Sequence, residues 1–160
     1  MGRGMKQLLL LNGPNLNLLG TREPHIYGKS GLQEIESELA AFLKEEGWGL
    51  KSFQSNHEGA LIDAIHEANQ HYEGIIFNPA AYTHTSVALR DAISAVEVPV
   101  IEVHISNVHN REAFRRESLL APVCWGQIAG LGTLGYKAAA LAFLEEDKRK
   151  DDKSGETGQV

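Results

Sequence analysis

Apolar residues recur along this chain with two different periods, and the period switches back and forth. Lys6 to Leu11 is a short, nearly continuous apolar run. Further on, Leu32, Ile35, Leu39, Phe42 and Leu43 return every three or four residues and form one stripe of a helix. Leu61, Ile62, Ile65, Ala68 and Tyr72 form a second stripe, and Val87, Leu89, Ala92, Ile93 and Val96 a third. Between the stripes stand compact runs such as Gly74-Ile75-Ile76-Phe77 and the mostly β-branched Val98 to Val103, which read as buried strands. The pattern predicts strands near 6–12, 49–54, 74–78, 98–104 and 122–125. It predicts helices over Leu32–Glu46, Ala60–Tyr72, Thr85–Val96, Asn110–Glu117 and Thr133–Glu146. Ser30 is placed to open the first helix, with Gln33 completing a capping box.

Five strand–helix units in alternation predict an α/β fold, a doubly wound, five-stranded, mainly parallel sheet of flavodoxin-like type flanked by helices. A chain of 160 residues has room for one domain with a real core, and no internal repeat or linker divides it. The expected layout is a single domain over 1–144. The charged segment 145–160, which ends in Gly, Ser and Thr, is expected to fray as a disordered tail.

Three polar clusters interrupt the apolar pattern where strands end. The first is Asn78-Pro79-Ala80-Ala81-Tyr82-Thr83-His84-Thr85-Ser86, a strand-to-helix turn carrying an amide, a tyrosine, a histidine and three hydroxyls. In an α/β sheet such a turn lies at the carboxyl end of a strand, where open sheets bind ligands. Its neutral polarity suits a small oxygen-rich molecule, and an ordinary capped loop would look the same. The second is Glu102, His104, Ser106 and Asn107 at the end of the next strand. Glu102 and His104 are two apart and share one side of a strand. A carboxylate beside an imidazole fixes its tautomer and raises its basicity, and a satisfied core histidine is the competing interpretation.

The third cluster is the segment from Asn12 to Gly28, rich in Asn and Gly and far longer than the roughly two to six residues usual between a strand and a helix. Long connections of this kind are commonly functional or form a lid. Arg22 and Tyr27 are its chemically distinctive members. A free tyrosine loses its proton near pH ~10. Bringing that down to about 8 takes roughly 3 kcal/mol, which a close, partly desolvated arginine supplies.

Composition narrows the function classes. Fifteen basic against twenty-one acidic residues leave a net charge of −6, which argues against general nucleic-acid or acidic-membrane binding. Arg22, Arg111 and Arg115 nevertheless fall in the polar segments, so an anionic small molecule fits. The single cysteine, Cys124, lies in the apolar Val123-Cys124-Trp125 and reads as an inert core thiol of a reducing compartment. No secretory signal and no run of about 20 apolar residues is present, so a cytoplasmic protein is expected. The seven histidines show no metal-ligand spacing. Gly130-Leu131-Gly132-Thr133-Leu134-Gly135 matches G-x-G-x-x-G but precedes only the last helix, so close packing or an intersubunit contact explains it better than a dinucleotide.

Taken together, the clusters resemble the type II 3-dehydroquinate dehydratase family. The resemblance spans about Lys6 to Leu144 and rests on several motifs in order. They are Asn12 to Gly20, Arg22 with Pro24, Tyr27 and Gly28, the 78–86 segment, Glu102 to Asn107, Asn110-Arg111-Glu112, Phe114-Arg115, and Gly126 to Tyr136. One position departs from the family: Ala80 stands where glycine is usual.

The resemblance implies the reversible anti dehydration of 3-dehydroquinate to 3-dehydroshikimate through an enolate. That step belongs to the shikimate route to chorismate and aromatic amino acids, or to quinate breakdown. It implies Tyr27 as proton acceptor, Arg22 as transition-state stabiliser, Asn15 holding a water at the enolate oxygen, His104 as proton donor, and Glu102 orienting it. Asn78, His84, Asp91, Ile105, Ser106 and Arg115 are implied in substrate binding, with Asp91 able to serve a neighbouring subunit. It also implies a dodecamer of trimers and no metal or organic cofactor, since the substrate ketone is the electron sink. Two rivals remain at this stage. A flavin or nucleotide module would want a phosphate-cradling first loop, where Pro14, Leu16, Leu18 and Leu19 stand instead. A catalytically dead relative would lack Tyr27, Arg22 or His104, and all three are present.

Overall fold

Leu8 and Leu10 point to one side of the first strand and Leu9 and Leu11 to the other, and all four are buried. A strand with apolar residues on both faces needs a layer of helices on each. The chain supplies them. The computed structural model describes residues 4–21 and 31–157. In chain order the elements are β1 (Gln7–Asn12), α1 (Leu32–Glu45), β2 (Gly49–Gln54), α2 (Glu58–Ala68), β3 (Gly74–Asn78), α3 (Val87–Ala95), β4 (Val100–His104), β5 (Gly126–Ala129) and α4 (Leu134–Thr157). The five strands are parallel and ordered β2-β1-β3-β4-β5, the doubly wound, flavodoxin-like order predicted from the alternating pattern.

The predicted stripes pack on the core, except that Val87 at the start of the third is exposed. Ile35, Leu39 and Leu43 of α1 join Tyr136, Ala139, Ala140, Phe143 and Leu144 of α4 over Leu8, Leu10, Ile76, Ile101 and Val103. Leu61, Ile65 and Ala68 of α2 join Leu89, Ala92 and Ile93 of α3 over Leu9, Leu11, Ile75, Phe77 and Val100. Burying a leucine or isoleucine side chain stabilises by about 1.5–3 kcal/mol, so these two layers carry the fold. Local signals set the helix ends. The Ser86 side chain accepts a hydrogen bond from Leu89 N–H at 2.9 Å and caps α3. Gln70, in the left-handed region with φ 77°, stops α2 at Ala68, so Tyr72 packs on the core from beyond the helix. The helix α1 starts at Leu32 with Gly31 as its cap residue, and Ser30 lies outside the described residues.

Three expectations need correction. The last strand is not 122–125 but Gly126–Ala129. Pro122 lacks an N–H and sits in a single 3-10 turn over Ala121–Val123, while Val123 and Cys124 pack against the α2–α3 core instead of joining the sheet. No α-helix forms over Asn110–Glu117. The chain makes 3-10 turns at Val108–Asn110 and Ala113–Arg115, and the one large apolar side chain there, Phe114, is exposed, so no stripe exists to be buried. The backbone does not fray at Glu145 either; α4 continues to Thr157. Lys6 Nζ pairs with both carboxylate oxygens of Asp147 at 3.0 and 2.8 Å, tying the last turns of the core-packed segment to β1. Beyond it, Glu145–Lys148 and Glu146–Arg149 stand as i,i+3 pairs on good helix formers. Among the described residues no helix is long and apolar enough to cross a membrane.

Candidate active site

The strand register sets the site. Asn12 on β1 lies beside Asn78 on β3, Phe77 beside Glu102 on β4, and Glu102 beside Gln127 on β5. The polar residues that end the strands therefore come together at the carboxyl edge of the sheet, beneath a cleft of about 230 Å³. Gly13 lets the first loop press onto the turn after β3. A Cβ there would lie 2.6 Å from the Pro79 carbonyl oxygen, while Gly13 N–H donates to the Asn78 carbonyl at 2.7 Å.

Glu102 is fully buried beneath the cleft, and every polar contact it makes is with a donor. Thr83 Oγ1 donates to Oε2, Ser118 Oγ lies 2.9 Å from both carboxylate oxygens, and Gln127 Nε2 donates to Oε1 at 3.2 Å. His104 Nε2 lies 2.5 Å from Oε2. Burial alone would push this carboxyl up, but the hydrogen bond and charge of His104 and the Thr83 and Ser118 hydroxyls outweigh it, so the group sits below its ordinary value. An ionised Glu102 makes Nε2 the protonated nitrogen toward it. Nδ1 is then the ring nitrogen of His104 left for a molecule in the cleft.

The other wall is fixed through Asn78. Ala80 N–H donates to its Oδ1 at 3.1 Å, which settles the amide orientation, and its Nδ2 donates to Tyr136 Oη at 2.9 Å. Tyr136 Oη in turn donates to Asn12 Oδ1 at 2.7 Å. Burial pushes the Tyr136 phenol far up, so it remains a neutral hydroxyl. His84 Nδ1 lies 2.7 Å from the Glu117 carbonyl, an acceptor, so Nδ1 carries the proton toward it, and Nε2 has no partner among the described residues. Ala80 itself lines the cleft with φ 53°, a left-handed conformation, which explains why glycine is usual at this position.

Asn15, Asn78, His84, His104, Ile105, Ser106 and Arg115, all expected from sequence, line this one cleft, together with Arg111 and Glu112. Arg115 Nε stands 2.8 Å from Glu112 Oε2 as an ion pair that lacks hydrogen-bond alignment, with the guanidinium 5.0 Å from the Phe114 ring. The glycine-rich segment after β5 packs against the site. Gly130 N–H and Gly132 N–H cap the His104 and Ile105 carbonyls at 3.2 and 3.0 Å, both glycines at positive φ.

Residues 6–144 match the family model described as Dehydroquinase class II. The chain belongs to the class II dehydroquinase family. The 3-dehydroquinate dehydratase of Bacillus cytotoxicus is 59% identical over 142 residues, covering 89% of this chain and 97% of that protein. That of Anoxybacillus flavithermus is 60% identical over 141 residues, 88% of this chain and 95% of its own. The crystal structure of the type II dehydroquinase from Butyrivibrio crossotus superposes with a TM-score of 0.85 at 46% identity, over 87% of this chain and 97% of that one.

Within this dehydroquinase-family chain, not every expected residue meets the cleft. Arg22 and Tyr27 lie outside the described residues. Asp91 is exposed on α3 and is not part of the cleft lining. Sequence reasoning passed over Asn12, Thr83, Ser118, Gln127 and Tyr136 as site residues. Asn12 carried a signal, being a polar residue closing an apolar strand. Gln127 needed the β4–β5 register, and Ser118 carried no signal at all. Among the described residues, no group of His, Cys, Asp and Glu is arranged to hold a metal ion.

Proposed function

We propose that the protein dehydrates 3-dehydroquinate to 3-dehydroshikimate in the shikimate route to chorismate and aromatic amino acids. The observation that carries this is the buried Glu102–His104 pair opening on a cleft walled by Asn78, His84, Ser106 and Arg115, in a chain of the class II dehydroquinase family. Loss of water from a β-hydroxy ketone needs a base for the α-proton, stabilisation of the enolate, and an acid for the departing hydroxyl.

In this proposal Tyr27, as tyrosinate, takes the C2 proton, and Arg22 holds its pKa down and stabilises the developing negative charge. Asn15 positions a water at the enolate oxygen. His104 gives a proton to the leaving hydroxyl on the opposite face, which suits an anti elimination, and Glu102 orients the ring. The backbone N–H of Ile105 and the Ser106 side chain hold the substrate carboxylate. Asn78, His84 and Arg115 hold the ring hydroxyls. Asp91, exposed on α3 and outside the lining of its own cleft, serves a neighbouring subunit in a dodecamer of trimers. The enzyme works in the cytoplasm with no cofactor.

The test is ultraviolet absorbance of purified protein with 3-dehydroquinate, before and after borohydride treatment. The conjugated product absorbs, so a rise that survives borohydride supports the imine-free dehydratase. A borohydride-sensitive rise keeps the reaction and overturns the mechanism, and folded protein that gives no rise overturns the function.

A further inference from the structure

Ser118 lies outside the cleft lining, yet the direction of its one proton is dictated by the backbone. Its Oγ accepts Leu120 N–H at 3.1 Å and Ala121 N–H at 2.9 Å. A hydroxyl has two lone pairs, and both are now taken. Thr83 Oγ1, 2.9 Å away, therefore finds no acceptor in Ser118. The Ser118 proton goes to Glu102, whose two oxygens are both 2.9 Å away, or to Thr83 Oγ1 at the same distance, and in either case the Thr83 proton goes to Glu102 Oε2.

A proton on Glu102 would have almost nowhere to point. Gln127 Nε2 is a donor, Ser118 is saturated, and Thr83 could accept only by leaving its own proton without a partner in a buried place. The one remaining acceptor is His104 Nε2. The titratable groups facing Glu102 among the described residues are His104 on its own strand and Cys124 beyond the Ala121–Val123 turn. Burial, and then the charge of Glu102, push the Cys124 thiol up to about 12, so it stays neutral.

We propose that Ser118 is a positioning residue for the dehydration, fixing Glu102 as a carboxylate and driving the proton the pair shares onto His104. This deepens the function proposed above and rests on its assignment of His104 as the acid. Ser118 touches no substrate; it acts by leaving Glu102 unable to hold a proton. The arrangement is a filter on protonation built from two backbone N–H groups and one hydroxyl. Gln127 Nε2 adds one more donor to Glu102 Oε1.

The experiment is a carboxyl 13C NMR titration of Glu102 in substrate-free protein, paired with initial rates across pH. It compares the wild type with Ser118→Ala, Ser118→Thr and Thr83→Val. Ser118→Ala is expected to raise proton affinity at Glu102 about tenfold, moving its midpoint up by about one pH unit. The acidic limb of kcat/KM moves to higher pH with it, and kcat falls about tenfold to a hundredfold while KM stays near that of the wild type. Ser118→Thr, which keeps the hydroxyl, restores the midpoint and the limb. An unmoved Glu102 midpoint in folded Ser118→Ala overturns the proposal, as does a lower melting temperature with an unchanged pH profile. Should Ser118→Ala fail to fold, Thr83→Val removes the proton whose direction Ser118 dictates, and an unmoved midpoint there overturns it equally. The titration needs no turnover, so a wild type that does not dehydrate 3-dehydroquinate sinks the function and still leaves this inference tested.

Discussion

Asn78 and Tyr136, 58 residues apart in the chain, share a buried hydrogen bond of 2.9 Å that sets which way the Asn78 amide faces the cleft. The direction is fixed at both ends, since Ala80 N–H holds Asn78 Oδ1 and the Tyr136 proton goes to Asn12 Oδ1. Asn12 Nδ2 is buried with no hydrogen-bond partner among the described residues, so the network already carries one unmet donor and a further lost contact adds to it.

Tyr136→Phe is therefore expected to orphan Asn78 Nδ2 toward the tyrosine and leave Asn12 Oδ1 empty, at a cost of about 1–3 kcal/mol. Urea unfolding should show a lower midpoint with an unchanged slope, and kinetics should show a raised KM as Asn78 loses one of its two anchors. A variant as stable as the parent, with the same KM, would mean that the network neither supports the fold nor aligns the amide.

Ala80 gives a second expectation, because its φ of 53° is a conformation that costs an L-residue about 1–2 kcal/mol. Ala80→Gly removes that strain, at an entropic cost of about 0.5–1 kcal/mol in the unfolded chain. The balance is a gain of up to about 1.5 kcal/mol, read as a higher urea midpoint. The methyl also leaves the cleft wall, so KM for 3-dehydroquinate should fall. A less stable glycine variant would show that the methyl's packing against the α1–α4 core outweighs its backbone strain.

What the sequence disclosed and what it hid divide along physical lines. Periodicity located the helix stripes because Ile35, Leu39 and Leu43, or Leu61 and Ile65, meet the core through local geometry alone. It misplaced the last strand because the apolar Val123-Cys124-Trp125 satisfies the core from a turn, while the true strand, Gly126–Ala129, is an edge strand of weak pattern. Part of what holds α4 past Leu144 is Lys6–Asp147, a contact between residues 141 apart that no local pattern reports. The site divides the same way. Glu102 and His104 were visible as a same-face pair on one strand. Ser118 and Gln127 reach Glu102 only through the fold, and a hydroxyl's role depends on which lone pairs the backbone has already filled.

Acid stability should follow Glu102. Its folded value lies below the ordinary carboxylate value of 4.5, so its contribution to stability is complete above that pH and is lost as pH falls through the folded value beneath it. Glu102→Gln cannot ionise. Its urea midpoint should vary less between about pH 5 and pH 2 than that of the parent, and turnover should be lost at every pH. Parallel acid limbs for the two proteins would show that other carboxylates govern acid unfolding.

The proposed base, Tyr27, is one of four tyrosines in the chain, and the other three lie among the described residues. The Tyr136 hydroxyl is committed at both ends, and its phenol is pushed far up by burial. Tyr82 Oη donates to the Asn56 carbonyl at 2.8 Å. Burial, and then Glu67, push the Tyr72 phenol up, and it lines no part of the cleft. None of these three hydroxyls lines the cleft, so the base of the proposed function stays Tyr27. Tyr27→Phe should lower kcat by about 10²–10⁴, the usual share of a general base, while calorimetry still detects substrate binding. Arg22→Ala should let the Tyr27 pKa rise toward about 10, so the remaining activity climbs with pH through a limb displaced to higher values. Substantial turnover by Tyr27→Phe would remove tyrosinate from the mechanism. The proton at C2 would then fall to Nε2 of His84, a histidine that lines the cleft, with His84→Ala as the deciding variant.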